Sequence, residues 1–419
     1  MTVDWTTSPL EELSINFDGK RRPVKEADRR PGPYPYYGAS GIVDHVDDYI
    51  FDGEHLLVAE DGENLRTRQT PIAFLAKGKF WVNNHAHILT GNEKTDTRFL
   101  MYALRHINID AYLTGAVMPK LTQRNLNRIE VPHPNLAEQR AIAAVLSALD
   151  DKIEQNRRTA RVLERLARAI FRAWFVDIEP VKAKGEGATS FPSMPQELFD
   201  ALPTRLIDSK IGPVPEGWEV GPISNVCTLS KDQLKPIAHP EEVFDHFSIP
   251  AFDSGAQPVV ESGAGIKSAK FLVTKSCVMI SKLNPRIPRV WLPDVSPDRR
   301  GIASTEFLVL EPNHGWSRSY IYSQLHQEEF LEDMAQRASG TSNSHQRVKP
   351  KDFIRTQIPM PPASFREEFN KTVKPLLDLV QQGRHESRKL AETRDYLLSR
   401  LLNAEVRIPE TKLIAEEMS

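Results

Sequence analysis

Cysteine is nearly absent: Cys227 and Cys277 are the two thiols in 419 residues. Two cysteines cannot make a disulfide framework or a cysteine-based zinc site, and so sparse a usage fits a reducing cytoplasm. Long hydrophobic runs are also missing. No stretch reaches the ~18 apolar residues of a spanning helix, and the opening MTVDWTTSPLEEL has neither the basic start nor the apolar centre of a secretory leader. A cytoplasmic protein without a membrane partner is expected. Excess charge of either sign is lacking: 54 Lys and Arg stand against 56 Asp and Glu, a net charge of -2. Proteins that bind nucleic acid unaided are usually basic, so such a role would need its cations gathered locally. No GxxxxGK[ST] string is present, which removes the phosphate loop of a motor.

What is present is ordinary for a folded chain. Apolar residues are 40% and charged residues 26%, enough to bury cores. At about 150 residues per domain the length suggests two large domains or three to four small ones. Self-comparison then divides the chain. Trp5, Leu10, Leu13, Pro23 and Val24 match Trp218, Ile223, Val226, Pro236 and Ile237 at an offset of 213. Leu121, Leu126, Val131, Pro132 and Pro134 match Val348, Phe353, Ile358, Pro359 and Pro361 at an offset of 227, so the second half has 14 extra residues in its middle.

Each half starts with a mixed globular stretch, ends it in a proline-punctuated strand (129–134 and 356–361), and continues into a long helical pattern. Residues 271–283 and 301–312 read as strands, and 97–107 and 319–336 as helices. The stretch 181–195 is a Gly/Pro/Ser linker. The expected order is a first globular domain 1–135, a long helix 136–180, a linker 181–215, a second globular domain 216–362, a second long helix 363–405 and a tail 406–419. In the first helix Ile142, Leu149, Asn156, Leu163 and Ile170 sit seven apart, flanked by Val145, Leu146, Ile153, Leu166 and Trp174. In the second, Phe369, Leu376, Gly383, Leu390 and Leu397 do the same, flanked by Val373, Leu379, Val380 and Leu401. Sustained heptads predict a coiled coil, each helix about 58 Å long for ~39 residues. An antiparallel, centred pair sets Asn156 opposite Gly383. Pro375 interrupts the second pattern and predicts a kink or a short preceding helix.

These residues resemble a known family. The strings YYGASGIVDHVDDYIFDGEHLLVAEDG (36–62), NNHAHIL (83–89) and LTGAVMPKLTQRNLNRIEVPHPNLAEQRAIAAVLSALDDKIE (113–154) are similar to the specificity subunit of type I restriction–modification enzymes. In the second half SIPAFDSG (248–255), SKLNPRIPRVW (281–291), STEFLVLEP (304–312) and PKDFIRTQIPMPP (350–362) are similar to that family's second target-recognition domain. The family's helix start is present as Pro132, Pro134, Glu138 and Gln139, whereas Phe365 and Arg366 stand where the second Glu–Gln would be. The resemblance implies an α+β fold: two similar α/β recognition domains, separated by a pair of long antiparallel coiled-coil helices, in a pseudo-twofold internal repeat. It implies a non-catalytic chain that reads a bipartite double-stranded DNA target. Two methyltransferase subunits, which carry S-adenosylmethionine and methylate adenine, would dock on the helices, and restriction/motor subunits would join them. This chain would bind no cofactor itself. The motifs agree: an adenine methyltransferase needs Asn/Asp-Pro-Pro-aromatic, and the nearest string, NPRIP (284–288), lacks the second proline and the aromatic.

Candidate DNA contacts are basic and amide side chains in loops, since Lys and Arg neutralise phosphates while Asn, Ser, His and Arg can reach base edges. In the first half they are Lys20, Arg21, Arg22, Tyr37, Ser40, Asn83, Asn84, His85 and Lys120. In the second they are Lys282, Asn284, Arg286, Arg289, Ser304, Thr305, Ser342, Asn343, His345 and Arg347. His85 and His87 alternate as on a strand and share a face. Polar packing, DNA contact and metal binding are all open to them, although no Cys or HExxH accompanies them and no metal is expected. SGAGIKS (262–268) reads as a turn and DHVDD (44–48) as a solvated hairpin loop. On the first helix Arg157, Arg158, Arg161, Arg165, Arg168 and Arg172 lie off the apolar stripe and suit partner docking. A rival from another class is a coiled-coil interaction scaffold without DNA sequence preference.

Overall fold

The structure, a computed structural model, describes residues 5–115, 117–340 and 346–408. It divides into two compact units: one takes in the chain up to Glu154 and from Arg388 onward, the other runs from Gln155 to Ser387. The division falls inside the two long helices, so each helix contributes a stretch to both units.

In the first unit a four-stranded antiparallel sheet has the order Ser14–Asn16, Ala86–Gly91, His55–Ala59, Ala73–Ala76. A hairpin of Pro31–Gly38 and Gly41–Val46 joins Trp81–Val82 in a three-stranded sheet. The helix Thr97–His106 starts at Asp96, whose side chain accepts the amides of Arg98 and Phe99, an N-cap that satisfies two orphan donors. Its buried Phe99, Leu100 and Leu104 join Leu56, Val58, Leu89 and the helix-borne Ile142, Leu146 and Leu401 in one core.

The second unit repeats this plan and enlarges it. Its four-stranded sheet has the order Cys227–Leu229, Phe307–Pro312, Val278–Ser281, Val290–Trp291, and a second sheet has five strands. The duplication shows in the pairing register. Thr6 pairs with His133 and Pro9 with Glu130; Glu219 pairs with Met360 and Pro222 with Gln357. The first strand of each ribbon is displaced by 213 and the second by 227, as in the sequence. Ala86–Gly91 corresponds to Phe307–Pro312, and Thr97 to Arg318, at an offset of 221. Eight of the 14 extra residues therefore precede these elements and six follow them.

The long helices are Leu136–Phe171 and Ala363–Leu402. Asn135 Oδ1 accepts the Glu138 amide at 3.0 Å and caps the first. Within the first unit Asp150 meets Arg394 at 2.6 Å. Within the second, Asn156 Nδ2 donates to Glu386 at 2.8 Å, and Phe171 meets Phe369 at a ring separation of 5.4 Å. Higher numbers on one helix face lower numbers on the other, so the pair is antiparallel. A Cβ placed on Gly383 would lie 3.8 Å from that of Asn156, which is the crossing the heptads predict. The seam takes Ile142, Asn156, Ile170 and Phe369 as buried residues, with Leu149, Leu163, Leu376, Gly383, Leu390 and Leu397 half-buried. Ala160 and Ala167, too small to stand out in the pattern, complete the buried stripe. Leu166 and Leu379 were expected to flank it, but they point outward at 45% and 53% exposure.

Several expectations give way. No separate helix precedes Pro375, since one helix runs through it; the proline lies on the exposed face, where a carbonyl without its amide partner can turn to water. The departure at Phe365–Arg366 is also resolved: Gln139 donates to the Lys94 carbonyl at 3.2 Å, and Arg366 donates to the equivalent Gly315 carbonyl at 2.6 Å. The stretch 181–215 is not an open linker, since helices Glu179–Gly185 and Gln196–Asp200 bury Val181, Leu198 and Phe199 in the second unit's core. Residues 319–336 form two helices, Arg318–Leu325 and Glu328–Arg337. The acidic run at 44–48 begins inside the strand Gly41–Val46, with Asp44 paired to Arg29 at 3.1 Å.

Candidate nucleic-acid interface

In each unit a set of loops converges at one end of the four-stranded sheet, and the backbone of the two sets is the same. Glu60 N donates to His85 O at 2.9 Å, and Lys282 N donates to Glu306 O at 2.9 Å. Leu121 N donates to Glu60 O, and Val348 N donates to Lys282 O. Thr114 and Lys120 exchange both backbone bonds, as do Ser339 and Arg347. The scaffold thus sets Glu60 against Lys282, Asn84 against Thr305, His85 against Glu306 and Lys120 against Arg347. These positions include six of the nineteen loop residues chosen from sequence, and their side chains differ between the two units.

The first cluster is held by charge. Arg21 donates to Glu60 at 2.5 Å and to the Ala86 carbonyl at 3.0 Å. Lys120 meets the other Glu60 oxygen at 3.2 Å. Burial raises the Glu60 carboxyl, but Arg21, His87 and Lys120 outweigh it and leave it below the usual range. His85 is half exposed and its Nδ1 lies 2.7 Å from Asp61. His87 does not share that setting: it is fully buried, with Nδ1 2.6 Å from Asp18 and Nε2 2.7 Å from the Leu121 carbonyl. The two histidines are therefore separated, and among the described residues no group of three His, Cys, Asp or Glu could hold a metal ion.

The second cluster is held by neutral packing and two bidentate pairs. Arg347 meets both Glu306 oxygens at 3.0 Å. Arg289, buried, meets both Asp253 oxygens at 2.7 and 2.9 Å. Asn284 takes the left-handed conformation (φ 48°) that Asn tolerates, and its amide donates to Gln346 O at 2.8 Å. Arg286 and Thr305 are exposed, and Lys282 and Ser304 are half-buried.

The sequence-chosen residues accordingly differ in exposure, with Lys282, Asn284, Ser304 and Arg347 half-buried. Lys20, Arg22, Ser40, Asn84, His85, Lys120, Arg286 and Thr305 reach the surface. Arg21, Tyr37, Asn83 and Arg289 are turned inward: Tyr37 packs on Phe74 and Phe80, and Asn83 Oδ1 accepts the His85 amide at 2.8 Å. They shape the loops and leave the outward contacts to their neighbours. Ser342, Asn343 and His345 lie outside the described residues. The acids Asp18, Glu60, Asp253 and Glu306 are not among the sequence candidates, since cations and not acids suit phosphate; the charge inversion between Glu60 and Lys282 at matching repeat positions is the available signal. The cysteines are core residues, their thiols pushed up by burial to about 12 for Cys227 and about 11 for Cys277, far from a reactive thiolate. Gly263–Gly265 is a turn, as read.

The family model of the type I restriction modification DNA specificity domain matches residues 2–165. The MjaIX specificity subunit of Methanocaldococcus jannaschii is 23% identical over 97% of this chain and 94% of its own. Over residues 2–165 the chain thus matches that specificity domain, and over nearly its whole length it is similar to a type I specificity subunit. A putative type I specificity subunit of Haemophilus influenzae is 40% identical over 147 residues, 35% of this chain and 37% of that protein. The crystal structure of the type I system S subunit from M. genitalium covers 96% of both chains at 17% identity and a TM-score of 0.61, so the fold is shared. No helix among the described residues is long and apolar enough to cross a membrane. The matched segment ends inside the first long helix, and the second half repeats the first in its strand register.

Proposed function

We propose that the two loop clusters each read one half of a bipartite double-stranded DNA target, within domains 1–135 and 216–362. The observation that carries this is one backbone scaffold presented twice with different side chains. A common frame positions a reader, while Asn84/Thr305, His85/Glu306 and Lys120/Arg347 let the two copies prefer different bases. Basic side chains at the loops supply phosphate contact despite the balanced total. The chain is non-catalytic and binds no cofactor. Methyltransferase subunits, with S-adenosylmethionine, dock on the long helices, where Val162 and Leu166 are 59% and 45% exposed; the partner subunits supply the remaining phosphate contact, and restriction/motor subunits complete the enzyme. The helix pair sets the spacer between the half-sites.

The test is single-molecule methylome sequencing of a host that makes this chain with its methyltransferase. A split motif is expected. Replacing 216–362 with the second domain of another family member should change one half of that motif, and a change in both halves would overturn the assignment. A complex that methylates without sequence preference would favour the scaffold reading.

A further inference from the structure

We propose that His87 is a doubly donating imidazolium that clamps the first reading cluster, a positioning residue that makes recognition of one half-site, and not the other, depend on pH. This rests on the DNA-reading role above.

The ring is fully buried and both nitrogens face acceptors: the Asp18 carboxylate at 2.6 Å and the Leu121 carbonyl at 2.7 Å. A backbone carbonyl only accepts, and so does an ionised carboxylate, so both contacts are made when both nitrogens carry protons. Every charged group around the ring suits that state or is already neutralised. From the turn after Ser14–Asn16 come Asp18 and Arg21; from the end of His55–Ala59 comes Glu60, 3.9 Å from Nδ1; from the segment at Leu121 comes Lys120. Arg21 and Lys120 are both spent on Glu60. Asp18 also accepts the Ile88 amide at 2.9 Å. Although burial raises its carboxyl, the His87 bond and charge, that amide and Arg21 leave it below the usual range, and it stays ionised.

Loss of one proton leaves the other on Nδ1, against the carboxylate. The bare Nε2 lone pair then faces the Leu121 carbonyl, and two acceptors at hydrogen-bond distance repel. Leu121 follows Lys120 directly, and Lys120 anchors the loop back to Thr114. The clamp therefore holds the Lys120 arm in register with His85 and Asn84 while the ring is charged, and lets it shift when the ring is neutral. In the second unit Leu308 stands in the same place: His87 pairs with Val58 across the sheet, and Leu308 with Ile280. That cluster has no proton to lose there.

The experiment uses the full chain in complex with its methyltransferase, once its motif is known. Methylation rates are measured from about pH 5.5 to about pH 9, on either side of the ordinary imidazole range, on the cognate duplex and on duplexes altered in either half. Ratios of these rates cancel the methyltransferase's own pH dependence. Discrimination at the first unit's half-site should fall about tenfold with rising pH, the scale of one charge-assisted hydrogen bond, while discrimination at the other half stays level. Asp18→Asn should move the step to lower pH, and His87→Leu should abolish it while leaving the second half-site unaltered. A level profile at the first half-site, or equal slopes at both, overturns the clamp while DNA reading stands; absence of sequence preference at every pH overturns DNA reading itself. If the variants do not fold, ring 15N spectra of the unsubstituted chain decide: a His87 ring with one protonated nitrogen at neutral pH refutes the proposal.

Discussion

The two loop clusters share their backbone hydrogen bonds but not the means of fixing them. In the first unit a buried set of ions, Asp18, His87, Arg21 and Glu60, joins the loops to the sheet. In the second, Leu308 fills the place of His87, and the ions at the loops are pairs with at least one exposed partner, as Arg289 with Asp253, or partly exposed pairs, as Arg347 with Glu306. A duplicated fold can thus keep a loop frame while exchanging polar for apolar support beneath it. Buried ion pairs add little net stability over a well-packed apolar alternative but are costly to break singly. The first cluster is therefore the more brittle of the two, and the second rests on its core.

That contrast can be broken at either end. The largest effect is expected at Phe369, fully buried and in ring contact with Phe171, Trp174, Phe175 and Tyr320. Phe369→Ala should cost about 3–5 kcal/mol, seen as lost hydrogen-exchange protection in the second unit with the first unit's sheet still protected. Uniform loss across both units would deny that they are separate. Next, Asp18→Asn leaves Arg21 and His87 without their carboxylate and should cost about 3 kcal/mol in the first unit. Lys231, at the repeat-equivalent position and exposed, should tolerate Ala within about 0.5 kcal/mol by thermal melting. A similar cost at both sites would show that the clusters are supported alike.

Recognition should separate in the same way. Thr305→Ala in the second cluster should relax preference at one base by about 1–3 kcal/mol, read from binding to single-substitution duplexes. Arg286→Ala should instead weaken binding about evenly across sequences and lower the salt slope by about one. The units also differ in acid. Burial pushes His326, packed on Tyr322 in the second unit, down to about 4. An unfolded histidine takes up its proton near ~6.5, so His326 contributes stability above that pH, and the second unit loses it as pH falls toward about 4. In the first unit burial also lowers His55, though less far than His326, and Asp18, Glu54 and Glu60 are depressed carboxyls. The contribution of these carboxyls is intact above the ordinary carboxylate range and is lost only as pH falls through and below it. Hydrogen exchange near pH 5 should therefore loosen the second unit first; His326→Phe should remove the difference.

The sequence showed those features that repeat or have a period. Two offsets recovered the register of both strand ribbons, and the heptads placed Asn156 against Gly383, because apolar spacing and chain length control both. Side chains whose roles depend on distant partners were not legible. Arg21 and Arg289 looked like surface cations because Glu60 and Asp253 lie tens of residues away and only folding brings the pairs together. His85 and His87 share a strand phase, but the first sits in the turn before Ala86–Gly91 and only the second is within the strand. Ala160 and Ala167 escaped the heptad count because alanine is common on exposed helix faces too.

The smallest expected effect tests the helix pair, where the first unit's stretch is joined by the Asp150–Arg394 ion pair and the second unit's by Asn156 with Glu386. Gly383 sits at that polar crossing inside a 40-residue helix. A glycine there carries a backbone-entropy cost near 1 kcal/mol relative to alanine. The position is not closed to a methyl group: an added Cβ would meet Asn156 Cβ at 3.8 Å and Asn156 O at 3.9 Å, ordinary van der Waals separations. Gly383→Ala should therefore raise the second unit's stability by about 0.5–1 kcal/mol, measured as a higher melting temperature with the first unit's exchange unchanged. A loss instead of a gain would mean that the helices need closer approach at Asn156 than this geometry allows, and that glycine sets the separation of the pair.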